Sequence, residues 1–123
     1  MAFDSVQVRF KDAKFFPSPL ATTRVVPFVG SYFEILKSVV DDINTEYFWF
    51  FSGFVNMKNM DMDYIPEQHQ QDQMHVWYNT HPKGGTNKEG NVFLIPTKQF
   101  KAQMYNIKHL RDFKDINYHA HNN

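Results

Sequence analysis

Asp61-Met62-Asp63 is the most conspicuous acidic pair in the chain. Two carboxylates two residues apart on an extended segment point the same way, which suits a divalent cation bound to a diphosphate. The same pair suits a solvated turn whose acids accept backbone hydrogen bonds, and a bare D-x-D arises often by chance. The histidines raise the question of a metal. His69, His75 and His81 stand six apart, no recognised ligand spacing, and neither H-x-x-x-H nor H-E-x-x-H occurs. His75 and Trp77 should share one face of a strand, opposite Met74, Val76 and Tyr78. A strand histidine beside a tryptophan is more often a packing residue than a ligand. His119 and His121 fall on a tail that reads as frayed, so no metal site is expected.

Nucleophilic chemistry finds little support. Ser5, Ser18, Ser31, Ser38 and Ser52 all lack a G-x-S-x-G context. Ser52 directly follows an apolar strand, and open α/β sheets bind ligands beyond the carboxyl ends of their strands. It is therefore a ligand-binding candidate, although a strand-ending Ser-Gly is equally a turn. Tyr64 and Trp77 are further candidates, able to stack on sugar rings or bases; their alternative is membership of the core. Lys83 to Gly90 holds Gly84-Gly85-Thr86 and two lysines but matches no phosphate-binding motif. It leads into a strand, without the positive end of a helix dipole, and so reads as a β-connection.

The chain that must position these residues is short: 123 residues, read as one domain over 1–123. Its thirteen basic and thirteen acidic residues cancel, which argues against nucleic acid as a partner, since phosphate binding needs a basic surplus. With no cysteine there are no disulfides, thiolate metal sites or cysteine nucleophiles. No apolar run approaches the roughly 20 residues of a membrane span, so no membrane partner is expected. The start, Met-Ala-Phe-Asp-Ser, lacks a signal peptide's basic and apolar regions, which predicts an intracellular chain.

Val6, Val8 and Phe10 alternate with Gln7 and Arg9, predicting an outer strand over Ser5–Phe10 with one wet face. Arg24 to Val29 is a second extended piece, and Pro27 within it restricts it to an edge strand or an ordered loop. The clearest element is a helix over about Ser31 to Ile43. At 100° per residue its apolar side chains fall within an arc of roughly 160°. Ser31 and Glu34 have the spacing of a capping box. Tyr47-Phe48-Trp49-Phe50-Phe51, apolar without alternation, reads as a strand covered on both faces and hence central. A helix followed by a fully buried strand predicts a crossover unit. Residues 56–72 read as irregular. Strands are expected over Met74–Tyr78, Val92–Ile95 and Ile116–Tyr118. A second helix is expected after Pro96, with Thr97 as N-cap and a stripe of Phe100, Met104, Ile107 and Leu110. The fold class is therefore α/β: a small single domain with a mixed sheet and two main helices.

In order, the helix Ser31–Ile43, Thr45 to Phe51, Met60 to Pro66, Met74-His75-Val76-Trp77 and Asn91 to Lys98 form a recognisable series. It resembles a glycosyltransferase-like module of tailed phages, notably marine cyanobacterial ones, and of large algal viruses. That module runs through a T-E-[YF]-x-W strand, a D-x-D-like spot, an F-D-F-x-[YW]-x-P block and a [VI]-H-V-[WF] strand. A Gly-rich turn and a strand ending in Pro-Lys complete it. The resemblance covers about residues 24–118 and implies a truncated fold of the nucleotide-diphospho-sugar transferase type. Where catalytic relatives carry Asp-x-Asp straight after the central strand, this chain has Ser52-Gly53-Phe54, and a phenylalanine cannot ligate a metal. Asp61 and Asp63 match the later block instead.

The expectation is a degenerate domain acting as a binding or structural module without a cofactor, its partner a nucleotide-sugar or a glycan. One alternative is an active sugar transferase in which Asp61 or Asp63 replaces the missing pair, His75 assists, and manganese or magnesium is the cofactor. Another is an oligomeric virion component, which predicts an exposed apolar patch and a symmetric homo-oligomer interface. The corresponding locations are the cytoplasm of an infected host cell or the virion.

Overall fold

The computed structural model describes residues 3–57, 60–79 and 92–121. Six strands and two helices follow one another as β1 (Asp4–Arg9), β2 (Thr23–Pro27), α1 (Tyr32–Val39), β3 (Tyr47–Ser52), β4 (Met74–Asn79), β5 (Val92–Pro96), α2 (Thr97–Gln103) and β6 (Ile116–His121). They form one sheet in the order β2-β1-β3-β5-β4-β6. β1 is parallel to both β2 and β3, β5 runs antiparallel to β3 and β4, and β4 is parallel to β6. The protein is thus α/β with a mixed sheet. The expected Gly-rich connection over Lys83–Asn91 lies outside the described residues.

β3 is buried at every position, as its unbroken aromatic run requires of a strand covered on both sides. Alternate side chains go to opposite cores. Phe48 and Phe50 join Val6, Val8, Val76 and Ile95 beneath the helices, where Leu36, Val39 and Phe100 complete the layer. Tyr47, Trp49 and Phe51 join Leu94 and Met57 on the other side, under irregular chain carrying Leu20, Val55, Met60, Met62 and Tyr64.

β1 departs from expectation. It lies inside the sheet, and of the two residues predicted to face water Arg9 is exposed but Gln7 is buried as deeply as Val6 and Val8, as is Ser5. The chain after β1 folds back over that face. Gln7 Nε2 donates to the Phe16 carbonyl at 2.8 Å, and Ser5 Oγ lies 2.8 Å from Thr23 Oγ1. Gln7 Oε1 is buried with no hydrogen-bond partner among the described residues. β2, by contrast, is the edge strand Pro27 demands, with the proline at its last position.

α1 buries Phe33, Ile35, Leu36 and Val39 and tightens into a 3₁₀ turn over Val40–Asp42. Ser31 Oγ accepts the Glu34 N–H at 3.2 Å, and Gly30 takes a positive φ of 73° just before it. Ser31→Ala should cost about 0.5–1 kcal/mol, the lower range for a cap because this bond is exposed. A urea midpoint that does not move would show the cap to be idle.

α2 starts one residue earlier than expected. Pro96 is the N-cap, and Thr97 inside the helix donates its hydroxyl to the Thr45 carbonyl at 2.9 Å, pinning the helix to the start of β3. α2 also stops at Gln103, so Ile107 and Leu110 reach the core edge from beyond it. The chain turns directly after the helix, with the Asn106 N–H donating to the Gln103 carbonyl at 2.8 Å. The Asp112 carboxylate accepts the His109 N–H at 3.1 Å and opens a separate 3₁₀ turn over Leu110–Asp112. β6 runs on to His121 instead of fraying at His119, in parallel register with β4 throughout.

Candidate functional site

The end of β3 is filled by the chain's own residues. Ser52 is buried, and its hydroxyl shares a hydrogen bond of 2.8 Å with the Tyr32 hydroxyl at the start of α1. Gly53 donates its N–H to the Val8 carbonyl at 2.6 Å and accepts the Phe16 N–H at 2.7 Å. A Cβ at Gly53 would lie 2.7 Å from the Phe15 ring, so the loop after β1 sits directly on the glycine. Phe54 turns outward to meet Phe10 at 5.2 Å between ring centroids, and Phe10 in turn stacks on Phe28 at 4.8 Å. Order β2-β1-β3 makes the carboxyl ends of β1 and β3 the point where connections diverge, the usual ligand crevice of an open α/β sheet. Phe15, Phe16 and Phe54 occupy that region.

Asp61 and Asp63 are both exposed and behave as a turn. Asp61 Oδ1 accepts the Asp63 N–H at 3.1 Å, and its carbonyl accepts the Tyr64 N–H at 3.3 Å. With Pro17, Pro19, Met57 and Met60 they line an open groove of about 530 Å³. Among the described residues, no three of His, Asp and Glu gather as a cation site would require. Ser52, which points to the helix side with Phe48 and Phe50, does not join the other candidates.

His75, Tyr64 and Trp77 do come together, on the loop-covered side of the sheet, and His119 joins them. His75 Nδ1 lies 2.9 Å from His119 Nε2, and His75 Nε2 lies 3.2 Å from the Gln70 carbonyl. Trp77 stacks on His119 at 4.6 Å and 15° and also meets Trp49 at 5.4 Å and the edge of Tyr64 at 5.2 Å. Tyr64 closes on both imidazoles, 5.5 Å from His75 and 5.6 Å from His119. The aromatic surfaces that could have stacked on a sugar are therefore spent on one another. Burial pushes the His75 pKa down, with the neighbouring His119 adding to the effect and the Gln70 carbonyl opposing it. Burial lowers His119 as well. Burial and then Glu67 raise the Tyr64 phenol. The Tyr47 phenol, which donates to the Gln71 carbonyl, is pushed up to about 12 by burial first, then by Glu46 and Asp72.

A further surface escaped sequence reasoning. Arg9, Lys11, Val25, Val26, Pro27 and Phe28 line an open cavity of about 580 Å³ at the carboxyl ends of β1 and β2. Beside it Val25, Phe28, Val29 and Phe54 are 40–66% exposed. The available signal was Phe28-Val29 before Gly30-Ser31: two apolar residues belonging to no amphipathic face. An apolar floor with a cationic rim can hold a partner by burial and charge, and it offers no acid–base pair or nucleophile.

These features define an α/β domain whose carboxyl-end crevice is self-filled and which carries an exposed apolar patch at the β1–β2 end. Comparison with protein-family models, with curated proteins and with solved structures finds no match to this chain.

Proposed function

We propose that this chain is a degenerate glycosyltransferase-like domain of phage or viral kind that works as a binding or structural module and not by metal-dependent sugar transfer. One observation carries the reading. At the end of β3, where the resemblance would put two carboxylates, Ser52 is tied to Tyr32, Gly53 lies under Phe15, and Phe54 packs with Phe10. Asp61 and Asp63 do not make good the loss, since their carboxylates stand in an exposed turn in which Asp61 Oδ1 accepts the Asp63 N–H. Titration calorimetry with UDP- and GDP-sugars, with and without Mn²⁺, is expected to show no metal-dependent binding. Micromolar, metal-dependent heat that Asp63→Ala abolishes would overturn the reading in favour of an active transferase.

A second reading, an oligomeric structural component, is favoured by the apolar patch. Phe10 bridges Phe28 and Phe54, so Val25, Phe28, Val29 and Phe54 form one neighbouring surface and not scattered residues. Light scattering at high concentration separates it from the first. A mass above the monomer that Val29→Asp returns to the monomer supports a self-associating component; a monomer throughout rules it out.

A further inference from the structure

We propose that the His75–His119 pair is a proton-operated latch, which holds the edge strand β6 on the sheet at neutral pH and releases it as the pH falls. The inference is independent of what the domain binds. β6 ends the strand order and has β4 as its one sheet partner, so the contacts between these two strands decide whether the C-terminal segment stays docked. Besides the backbone ladder they include the imidazole pair, the stack of His119 on Trp77 and the edge contact of Tyr78 with Tyr118 at 6.5 Å, and just before β4 Gln73 Oε1 accepts from Asn117 Nδ2 at 3.3 Å.

Proton positions follow from the partners. The Gln70 carbonyl only accepts, so His75 carries its hydrogen on Nε2 and its Nδ1 is bare. The 2.9 Å contact then requires His119 to donate from Nε2, which leaves His119 Nδ1 bare. A first proton enters at His119 Nδ1 and leaves the bond in place. A second must enter at His75 Nδ1, where two N–H groups would face each other across 2.9 Å in a buried site. The bond is then lost, and a buried cation stands without a counter-ion.

The surroundings offer that cation no relief. Tyr64 faces both rings from the irregular chain, with its phenol held neutral. β5 presents Leu94 opposite His75, and β3 contributes Trp49 behind Trp77. No carboxylate of the described residues pairs with either ring; Glu67 pairs with His69 instead. Both imidazoles have folded pKa values below the ordinary 6.5. The released strand therefore binds protons that the docked strand refuses. Docking is fully favoured above pH 6.5 and is lost progressively below it.

Hydrogen exchange across the sheet tests this on the whole chain. Between pH 7.5 and 5.0 the protection factors of Ile116–His119 amides should fall about tenfold more than those of β1 and β3, because opening takes up as many as two protons. His119→Phe keeps a ring on Trp77 and leaves His75 as the one imidazole of the pair to titrate, so that extra loss should shrink by about half on a logarithmic scale. Protection that falls in step across β6 and β3, or a full acid response in His119→Phe, would overturn the latch. Should the variant fail to fold, ¹⁵N shifts of the wild-type imidazoles decide. A bare His75 Nδ1 and a protonated His119 Nε2 at pH 7.5 support it, and the opposite tautomers sink it.

Discussion

Phe50→Ala should remove about 3–5 kcal/mol of folding stability, the range for truncating a fully buried phenylalanine. Phe50 lies on β3 between β1 and β5, in register with Val6 on one side and Phe93 on the other. Its ring meets Phe93 at 5.8 Å and the edge of Tyr32 at 5.5 Å. Truncation leaves a void under α1, where Tyr32 is also the residue that holds Ser52. Small domains are stable by only about 5–15 kcal/mol, so one substitution would remove a large share of the total. Phe50→Leu, which keeps most of the volume, should cost well under half as much. Urea unfolding followed by tryptophan fluorescence measures both, since Trp49 and Trp77 lie on the opposite face and report without being mutated. A loss below about 1 kcal/mol for Phe50→Ala would mean that β3 is not the keystone of the sheet.

What could be read from the chain divides by the distance over which information acts. The aromatic run of β3 and the apolar arc of α1 are local patterns, and both elements appear where those patterns put them. Pro27 identified an edge strand for the equally local reason that it lacks a donor. β1 was misjudged because Gln7 looks wet until Phe16, nine residues on, folds back to accept its amide. Thr97 had the chemistry of an N-cap, yet its hydroxyl went to Thr45, fifty-two residues away. The site divides in the same way. Alternation put His75 and Trp77 on one face, but His119 reaches them across forty-four residues of chain. Ser52 was correctly seen to end the central strand; that Tyr32 claims its hydroxyl depends on where α1 lands.

Gly53→Ala is the sharpest test of how the end of β3 is closed. The new Cβ would lie 2.7 and 2.9 Å from two carbons of the Phe15 ring and 3.1 Å from the Val8 carbonyl oxygen. The glycine cannot back away, because its N–H and C=O are both committed, to Val8 and Phe16. Phe15 must yield instead, and it carries the Arg9 guanidinium over its ring at 4.7 Å. Overpacking of this kind costs about 1–3 kcal/mol, and Gly53→Val should cost more than Gly53→Ala. The cause is separable from a general intolerance of β3 to side chains. In a Phe15→Ala background the ring is gone, and only the tight approach to the Val8 oxygen remains. Gly53→Ala should then cost less than half of what it costs alone, a coupling that a double-mutant cycle in urea reads directly. Additive losses would place the strain in the backbone and free Phe15 of its part in sealing the crevice. The closed end of β3, and with it the case against a metal-dependent transferase, would then lack its principal support.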